Sequence, residues 1–406
     1  MGEGRHATGG RLVPSQLNAN SRRPLARGIV RVTYSVVAEF DLGFLGGGQL
    51  ARMSIQAAQR MGLTCLSLDP GVDTPASQIA AAIVGPLDDP DRITEIFRRC
   101  ERVTLENEFI PAHRIEEGAS GDIDRLIPGT TCLATIQDKL LQRRALDRAG
   151  VPSPTATEIT SGPPPNLPFP MVLKARFGGY DGKGTRYAHN GDQFESHREL
   201  WGAGGWMAEE FVDFSRELAV MVVRTQADSF CLPTVETVQT KHVCDLVYPA
   251  WRDASEIALA AVEAMGGYGL FGVELFERTD GALMVNEIAP RPHNTGHYTL
   301  DWGAQSQFDL HARLAANLPV SAPKSPVQSV MANLLGQDGA GDFRSGLRAA
   351  LGDPGVRFHW YGKAKAAPGR KMGHLNVVGP LDAPTTALIQ RAIDARDAFY
   401  EAWTRQ

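Results

Sequence analysis

The run Gly178-Gly179-Tyr180-Asp181-Gly182-Lys183-Gly184 places four glycines in seven residues, between an apolar strand expected at 169–177 and a short strand expected at 185–188. Glycines at that density leave successive backbone N–H groups free to form an anion-binding concavity, and Lys183 adds a cation at its tip. The spacing is not that of a Walker-type phosphate loop, which needs four residues between the first glycine and Gly-Lys-Ser/Thr. It fits a glycine-rich flap between two strands, of the kind that covers a nucleotide triphosphate; a long flexible hairpin is the plain alternative. Lys174 lies inside the apolar strand leading to the flap, where an ammonium must extend to solvent or find an anion. Lys139 opens a helix and, taken alone, reads as a surface residue.

A pair of carboxylates carries a second signal. Strands at 269–277 and 282–290 are joined through Thr279-Asp280-Gly281, a hairpin signature. If Glu277 faces Ala282, Glu274 faces Val285 and lies diagonal to Glu287, at about 7–8 Å. A cation fits between two acids so placed, although the pair also suits a solvated sheet face. Asn286 offers a neutral oxygen, but on a regular strand it points to the other side. Hard oxygen donors of this kind suit Mg²⁺ held partly by nucleotide phosphates. The loop that follows carries Arg291, His293 and Asn294, and the loop 368–374 carries Arg370 and Lys371. Both read as anion receptors or as surface loops. Near the start of the ordered sequence, Gly46-x-Gly48-x-x-Ala51 follows a strand, with Asp69 about 20 residues on. That pattern fits a dinucleotide fingerprint, a phosphate at a helix end beside Gln49, or a tight structural turn.

These residues need a framework of ordinary globular size. The chain has 406 residues, 43% apolar and 21% charged, with net charge −5 and pI near 6.1. Two or three domains follow from about 150 residues each. No bulk basic field argues for nucleic acid, and no apolar run is long enough to span a bilayer. Five scattered cysteines without C-x-x-C argue against a disulfide scaffold and for a reducing compartment. The first 35 residues hold six arginines, one acid and no lysine, which is tail composition, or that of an organellar transit peptide. A strand at 40–45, a helix at 49–61 and strands at 64–68 and 102–105 open a doubly wound parallel sheet. A second unit begins with a helix at 137–149, with Leu140, Leu141, Ala145 and Ala149 inward. After a proline-rich connector at 161–168 the pattern alternates strands and turns, with a helix at 254–265 whose Ile257, Ala261 and Met265 share a face. A third segment holds a strand at 327–335, an extended stretch at 358–364 and a closing helix at 383–403.

Taken together, the flap, the two lysines and the glutamate hairpin resemble the ATP-grasp superfamily. More closely, the chain resembles the 5-(carboxyamino)imidazole ribonucleotide synthase family of purine biosynthesis. The matching stretches are GFLGGGQLARM (43–53), QDKLL (137–141), VLKARFGGYDGKG (172–184), EEFVDFSREL (209–218), FGVELF (271–276), VNEIAPRPHNTGHY (285–298) and YGKAKAAPGRKMGHLNVVG (361–379). The resemblance implies an α/β protein of ATP-grasp architecture: a tail at 1–39, a doubly wound domain at 40–133, an ATP-grasp domain at 134–320 and a small domain at 321–406. It implies ATP-dependent carboxylation of 5-aminoimidazole ribonucleotide with bicarbonate, through carboxyphosphate, with ATP and Mg²⁺ required, in the cytoplasm and as a homodimer.

By the same resemblance, Lys139 and Lys174 hold ATP phosphates under the flap (Gly179, Tyr180, Asp181, Gly182, Lys183, Gly184, Thr185). Glu209, Glu210, Phe211 and Val212 meet the adenine, and Glu217 the ribose. Gln239 lies near the nucleotide, Glu274 and Glu287 carry magnesium with Asn286 beside them, and Arg291, His293 and Asn294 form the bicarbonate side. Gly48, Gln49, Leu50, Glu108, Lys363, Arg370 and Lys371 fall to the ribonucleotide. Two positions depart from the family: Phe109 stands where it usually has asparagine, and Gln239 where many members have histidine. The alternatives are a formate-dependent glycinamide ribonucleotide transformylase, a nicotinamide-dependent dehydrogenase built on Gly46–Asp69, and a non-catalytic paralogue.

Overall fold

A computed structural model describes residues 38–160, 162–179, 182–200, 205–339 and 341–404. The expected tail therefore lies almost wholly outside the described residues. Five parallel strands open the fold: β1 (Phe40–Leu45), β2 (Cys65–Asp69), β3 (Ala81–Val84), β4 (Cys100–Leu105) and β5 (Leu126–Ile127), in the order β3-β2-β1-β4-β5. Between β1 and β2 runs α1 (Gln49–Arg60), whose buried face includes Leu50, Met53, Ile55 and Ala58. Gly46, at φ +109, makes the turn between them. Two further helices, α2 (Pro90–Arg99) and α3 (Ala112–Ala119), pack together against this sheet around Ile93, Ile96, Phe97 and Ile115.

Where one helix was expected at 137–149, the chain forms two, α4 (Thr130–Gln137) and α5 (Lys139–Arg148). Asp138 interrupts them because its carboxylate accepts from the backbone N–H groups of Leu140 and Leu141 as the N-cap of α5. The inward face changes accordingly. Leu140, Gln142, Arg143, Ala145 and Leu146 are buried, whereas Leu141 is 40% exposed and Ala149 is exposed. A four-stranded antiparallel sheet follows, from β6 (Ala156–Glu158), β7 (Met171–Ala175), β8 (Thr185–Ala188) and β9 (Trp206–Glu210), in the order β6-β9-β7-β8, with α6 (Gly191–Glu195) after β8. The proline-rich connector is not wholly solvated, since Pro164 and Leu167 are buried.

The large sheet has nine strands. It is built from β10 (Phe214–Arg224), β11 (Ser229–Cys231), β12 (Val235–Thr240), β13 (Val243–Pro249), β14 (Gly269–Arg278), β15 (Leu283–Ala289), β16 (Val327–Leu335), β17 (Val356–Trp360) and β18 (Lys371–Pro380). Its order is β15-β14-β10-β12-β13-β16-β18-β17, with β11 beside β10. The C-terminal segment thus extends the central sheet, because β16 pairs with β13 through Leu246↔Ala332 and Val247↔Met331. Helix α7 (Ser255–Met265) covers β10 and β14 with Ala258, Ala261, Val262 and Met265, while Ile257 is only half-buried. A short 3-10 turn (Asn294–Leu300) and α8 (Gln307–Ala315) follow β15, and α8 packs on α1. Finally α9 (Phe343–Ala350) and α10 (Thr385–Thr404) cover β16–β18, where Phe399 and Trp403 are buried. Each such side chain contributes roughly 1.5–3 kcal/mol by leaving water.

One turn is strained. The two residues joining β12 to β13, Lys241 (φ 53) and His242 (φ 64), both adopt left-handed backbone. Two-residue hairpin turns of this form favour Asn-Gly or Asp-Gly, and a side-chain-bearing residue there costs about 1–2 kcal/mol.

Candidate active site

The hairpin β14–β15 differs in register from the regular ladder that spacing alone implies. Glu277 pairs with Leu283 and Leu275 with Val285, and a bulge then puts Glu274 directly opposite Glu287. The extra residue in the bulge is Asn286. On a regular strand Asn286 points away, but the bulged strand re-aims it, and its Oδ1 lies 3.4 Å from Lys174 Nζ. The two acids differ in their surroundings. Burial, followed by the charges of Glu287 and Glu217, drives Glu274 up to about 8. Burial pushes Glu287 the same way, but Lys139, Lys174 and Arg143 together hold it below its usual range. Facing carboxylates of which one resists ionisation are a donor set suited to a hard divalent cation.

Lys139 reaches Glu287 from the first position of α5. Its placement comes from Arg176, at the end of β7: the Arg176 guanidinium clamps Asp138 while its carbonyl accepts from Lys139 N–H at 2.9 Å. Lys174, on β7, sits 2.7 Å from Glu209, which Arg143 also holds at 2.7 Å. Glu209 is 2% exposed. Although burial works against it, its carboxylate stays below the usual range beside Arg143 and Lys174. This side chain therefore braces Lys174. Arg143 is absent from the sequence reading, and its one legible signal is its i,i+4 spacing from Lys139 on α5.

One cavity of about 1370 Å³ collects these groups. Lys139, Lys174, Glu274, Asn286 and Glu287 lie on its wall, together with Gly179, Gly182, Lys183, Gly184 and Thr185 of the flap. Tyr180 and Asp181 lie outside the described residues. Glu209, Glu210, Glu217 and Gln239 line it from β9, β10 and β12, and Phe211 and Val212 from the loop between β9 and β10. Burial raises Glu217 against a hydrogen bond from Gln239. The Phe214 and Phe276 rings, stacked at 4.5 Å, add an apolar wall.

Arg291, His293 and Asn294 reach the same space from the loop after β15. Arg291 forms a two-pronged ion pair with Glu108, so two residues expected to meet substrate also hold each other. His293 Nε2 is 3.6 Å from Glu274 Oε1, and its Nδ1 is 2.9 Å from Thr295 Oγ1. Burial, then Arg291 and Lys371, keep the imidazole well below its ordinary pKa and hence neutral. Its packing against β14 requires Gly272, where a Cβ would lie 2.5 Å from the His293 Cβ. Gln307, which sequence reading did not single out, grips His293 from both sides: Oε1 accepts its N–H at 2.9 Å and Nε2 donates to its carbonyl at 2.8 Å. Asn294 is bonded to Asn333 of β16.

Gln49, Leu50, Glu108, Phe109, Lys363, Arg370 and Lys371 close the far end of the cavity. Gly48 instead borders an adjoining recess with Lys363 and Arg370. The N-terminus of α1 already faces an anion of the chain itself. The Glu106 carboxylate accepts from Leu50 N–H, and its Oε1 lies 2.2 Å from where a Cβ on Gly48 would stand. Burial raises Glu106 to about 7, against the opposing pull of Asn107 and Arg291. Asp69 is committed to the glycine turn, accepting from Gly47 N–H and Gly71 N–H at 2.8 Å each. It closes this turn at the edge of the same recess.

Models of three families match in series: the ribonucleotide synthetase preATP-grasp domain over residues 40–137, the ATP-grasp domain over 156–308 and the phosphoribosylaminoimidazole carboxylase C-terminal domain over 329–386. The N5-carboxyaminoimidazole ribonucleotide synthase of Synechococcus elongatus is 37% identical over 376 residues, which cover 86% of this chain and 92% of that protein. The chain belongs to the N5-carboxyaminoimidazole ribonucleotide synthase family. The phosphoribosylaminoimidazole carboxylase of Schizosaccharomyces pombe is 35% identical over 88% of this chain and 68% of its own length. The crystal structure of the Aspergillus clavatus N5-carboxyaminoimidazole synthase, in complex with ADP and 5-aminoimidazole ribonucleotide, matches with a TM-score of 0.80 and 34% identity, covering 88% of this chain and 99% of that one. In this member of the synthase family, side chains from all three matched segments line the one cavity.

Proposed function

We propose that the protein is an ATP-dependent ligase that carboxylates 5-aminoimidazole ribonucleotide with bicarbonate, giving the N5-carboxyamino product, ADP and phosphate. The observation that carries this reading is the single cavity. Along it, two lysines and a glycine flap stand over two facing glutamates, with a basic, asparagine- and histidine-bearing floor beyond. Lys139 and Lys174 sit where cations would neutralise the β- and γ-phosphates of ATP, and Glu274 with Glu287 would hold Mg²⁺, with Asn286 adjacent. The ion would screen phosphate charge during transfer. Bicarbonate oxygen attacks the γ-phosphorus and ADP leaves, so that carboxyphosphate forms. The exocyclic amine of the ribonucleotide then takes the carboxyl group, losing a proton as phosphate departs.

The chain's own work is positioning and water exclusion. Arg291, braced by Glu108, offers a fixed positive charge to the bicarbonate and to the carboxyphosphate it becomes. A neutral His293, held by Gln307 and Gly272, orients beside it. Lys363, Arg370 and Lys371 form the basic end suited to a ribose phosphate. No nucleophilic cysteine is needed, and burial raises all five thiols to about 11 or 12. Free cysteines and the metabolites required agree with a cytoplasmic setting, and among the described residues no helix is long and apolar enough to cross a membrane. Homodimerisation is part of the same reading, to be measured by sedimentation.

The deciding experiment is ADP release with ribonucleotide, bicarbonate and Mg-ATP, omitting each in turn. Ribonucleotide-dependent release, with labelled bicarbonate carbon entering an acid-labile product, is the expected result. Labelled formate incorporated instead, or no release under any combination, would overturn the reading.

A further inference from the structure

Asn333 lies toward the end of β16, among Met331, Ala332, Leu334 and Leu335, and an amide side chain is poorly suited to such a strand. Val330, Ala332 and Leu334 face the core beneath α9 and α10, so alternation turns Asn333 to the opposite face, where it is fully buried. A buried amide is costly unless it is bonded, and this one spends both of its N–H groups. Its Nδ2 donates to Asn294 Oδ1 at 2.6 Å and to the Cys244 carbonyl of β13 at 2.7 Å, while its Oδ1 accepts from Asn294 Nδ2 at 3.1 Å. The Cys244 carbonyl can only accept, which fixes the orientation of the Asn333 amide, and the reciprocal pair then fixes that of Asn294. Asn294 lines the cavity and keeps a second N–H for a ligand there. The same strand also seats the basic end of the cavity. Just beyond Asn333, Gly336 N–H donates to the Arg370 carbonyl at 2.8 Å, and the Gly336 carbonyl accepts from Gly369 N–H at 3.2 Å. A Cβ on Gly336 would lie 2.2 Å from the Ala367 carbonyl oxygen, so that loop rests directly on the strand's backbone. Asn294 on one side, and Arg370 and Lys371 on the other, are thus placed by a single strand.

We infer that Asn333 is a positioning residue that acts through Asn294, setting the bicarbonate-side loop at a fixed distance from the loop that bears Arg370 and Lys371. The inference rests on the proposed carboxylation for its kinetic consequence, but not for the amide pair itself. With Asn294 held, bicarbonate and the carboxyphosphate it becomes are presented to the amine of the ribonucleotide. With Asn294 loose, bicarbonate binds less well and carboxyphosphate waits longer for the amine. Water then cleaves that intermediate to bicarbonate and phosphate, and ADP is made without product.

The test compares Asn333→Ala and Asn333→Asp, which keeps the shape but loses both N–H donors, with Gln328→Ala. Gln328 is a buried amide of the same strand whose bonds go to the carbonyls of Pro380, Leu381 and Ala383, none of them on the cavity wall. Both Asn333 variants should raise the bicarbonate KM about 2- to 10-fold, the worth of one hydrogen bond, with the ATP KM kept within about twofold. ADP should form in excess of carboxylated product. Gln328→Ala should lower the melting temperature and leave both the bicarbonate KM and the ratio of ADP to product unchanged, which separates positioning from loss of stability. In urea unfolding, Asn294→Ala combined with Asn333→Ala should destabilise by less than the sum of the two single changes, since both remove one contact. An unchanged bicarbonate KM in the Asn333 variants, an equal rise in Gln328→Ala, or additive unfolding would each overturn the inference. The unfolding cycle needs no substrate. A parent enzyme that releases no ADP would therefore count against the proposed function, while the cycle still decides whether Asn333 holds Asn294.

Discussion

Glu274 and Glu287 share one rung of a hairpin, and Lys139 is in contact with Glu287. With its carboxyl raised to about 8, Glu274 would hold a proton at lower pH that the proposed Mg²⁺ must displace. Mg²⁺ affinity, read by calorimetry, should therefore tighten as pH rises from 6 to 8, by up to about tenfold per unit, and level off above. Stability moves the other way in the metal-free protein. The folded state holds this proton more tightly than a model carboxyl of pKa 4.5, so Glu274's stabilising contribution is complete below that value and is lost as pH rises through about 8. Glu106 acts in the same direction at about 7, and Glu274→Gln isolates the share due to Glu274. Melting temperatures in chelator at pH 6 and pH 9 should differ less in that variant than in the parent. Glu287→Gln removes the partner of Lys139 and half of the proposed metal pair, so Mg-dependent ADP release should fall by at least about 100-fold with the melting temperature nearly kept. A fully active variant would refute the metal assignment.

At the level of elements, positions follow from how neighbouring backbones meet. The bulge at Asn286 turns a diagonal pair of acids into a facing one and swings the amide toward Lys174. Gly272 on β14 is the space into which His293 packs. Gly272→Ala should therefore destabilise by about 1–3 kcal/mol through overpacking, in urea unfolding, and raise the bicarbonate KM by displacing His293. An unchanged KM would mean that the imidazole is not held from this side. The break between α4 and α5 acts likewise. Asp138 caps α5 and anchors Arg176, so the helix start and the strand end fix Lys139 together.

At the scale of the whole molecule, the cavity exists only because three sequence segments converge. The C-terminal strand β18 begins at Lys371, whose carbonyl accepts from Lys363 Nζ at 2.6 Å, and continues the sheet that carries Glu274. Lys371→Ala should raise the ribonucleotide KM about tenfold or more, the worth of a charge-assisted hydrogen bond, and leave the ATP KM within about twofold. The reverse pattern would place the two substrates at opposite ends from those assigned.

The sequence by itself determined the elements whose signals are local. The β1–Gly46–α1 opening, the strand at Val327–Leu335 and the glycine-dense flap are set by periodicity and turn chemistry within a dozen residues. Types at known spacing also marked Lys174, Glu274 and Glu287, because a buried lysine and paired acids call for partners, whereas Lys139 was marked by the family resemblance alone. Tertiary structure alone decided the partners. Arg143, Glu106 and Gln307 look ordinary in sequence, and what they hold lies 56 or more residues away or across a loop whose path no local rule sets. The same holds for Leu141, exposed because Asp138 restarts the helix, and for the C-terminal strands, which join the central sheet through β13 and β16. Spacing reports which face a residue shares with its neighbours in sequence. Which distant backbone comes to that face is set by packing of the whole chain, and that is where Glu209 became the brace of Lys174 and Glu287 the counter-charge of Lys139.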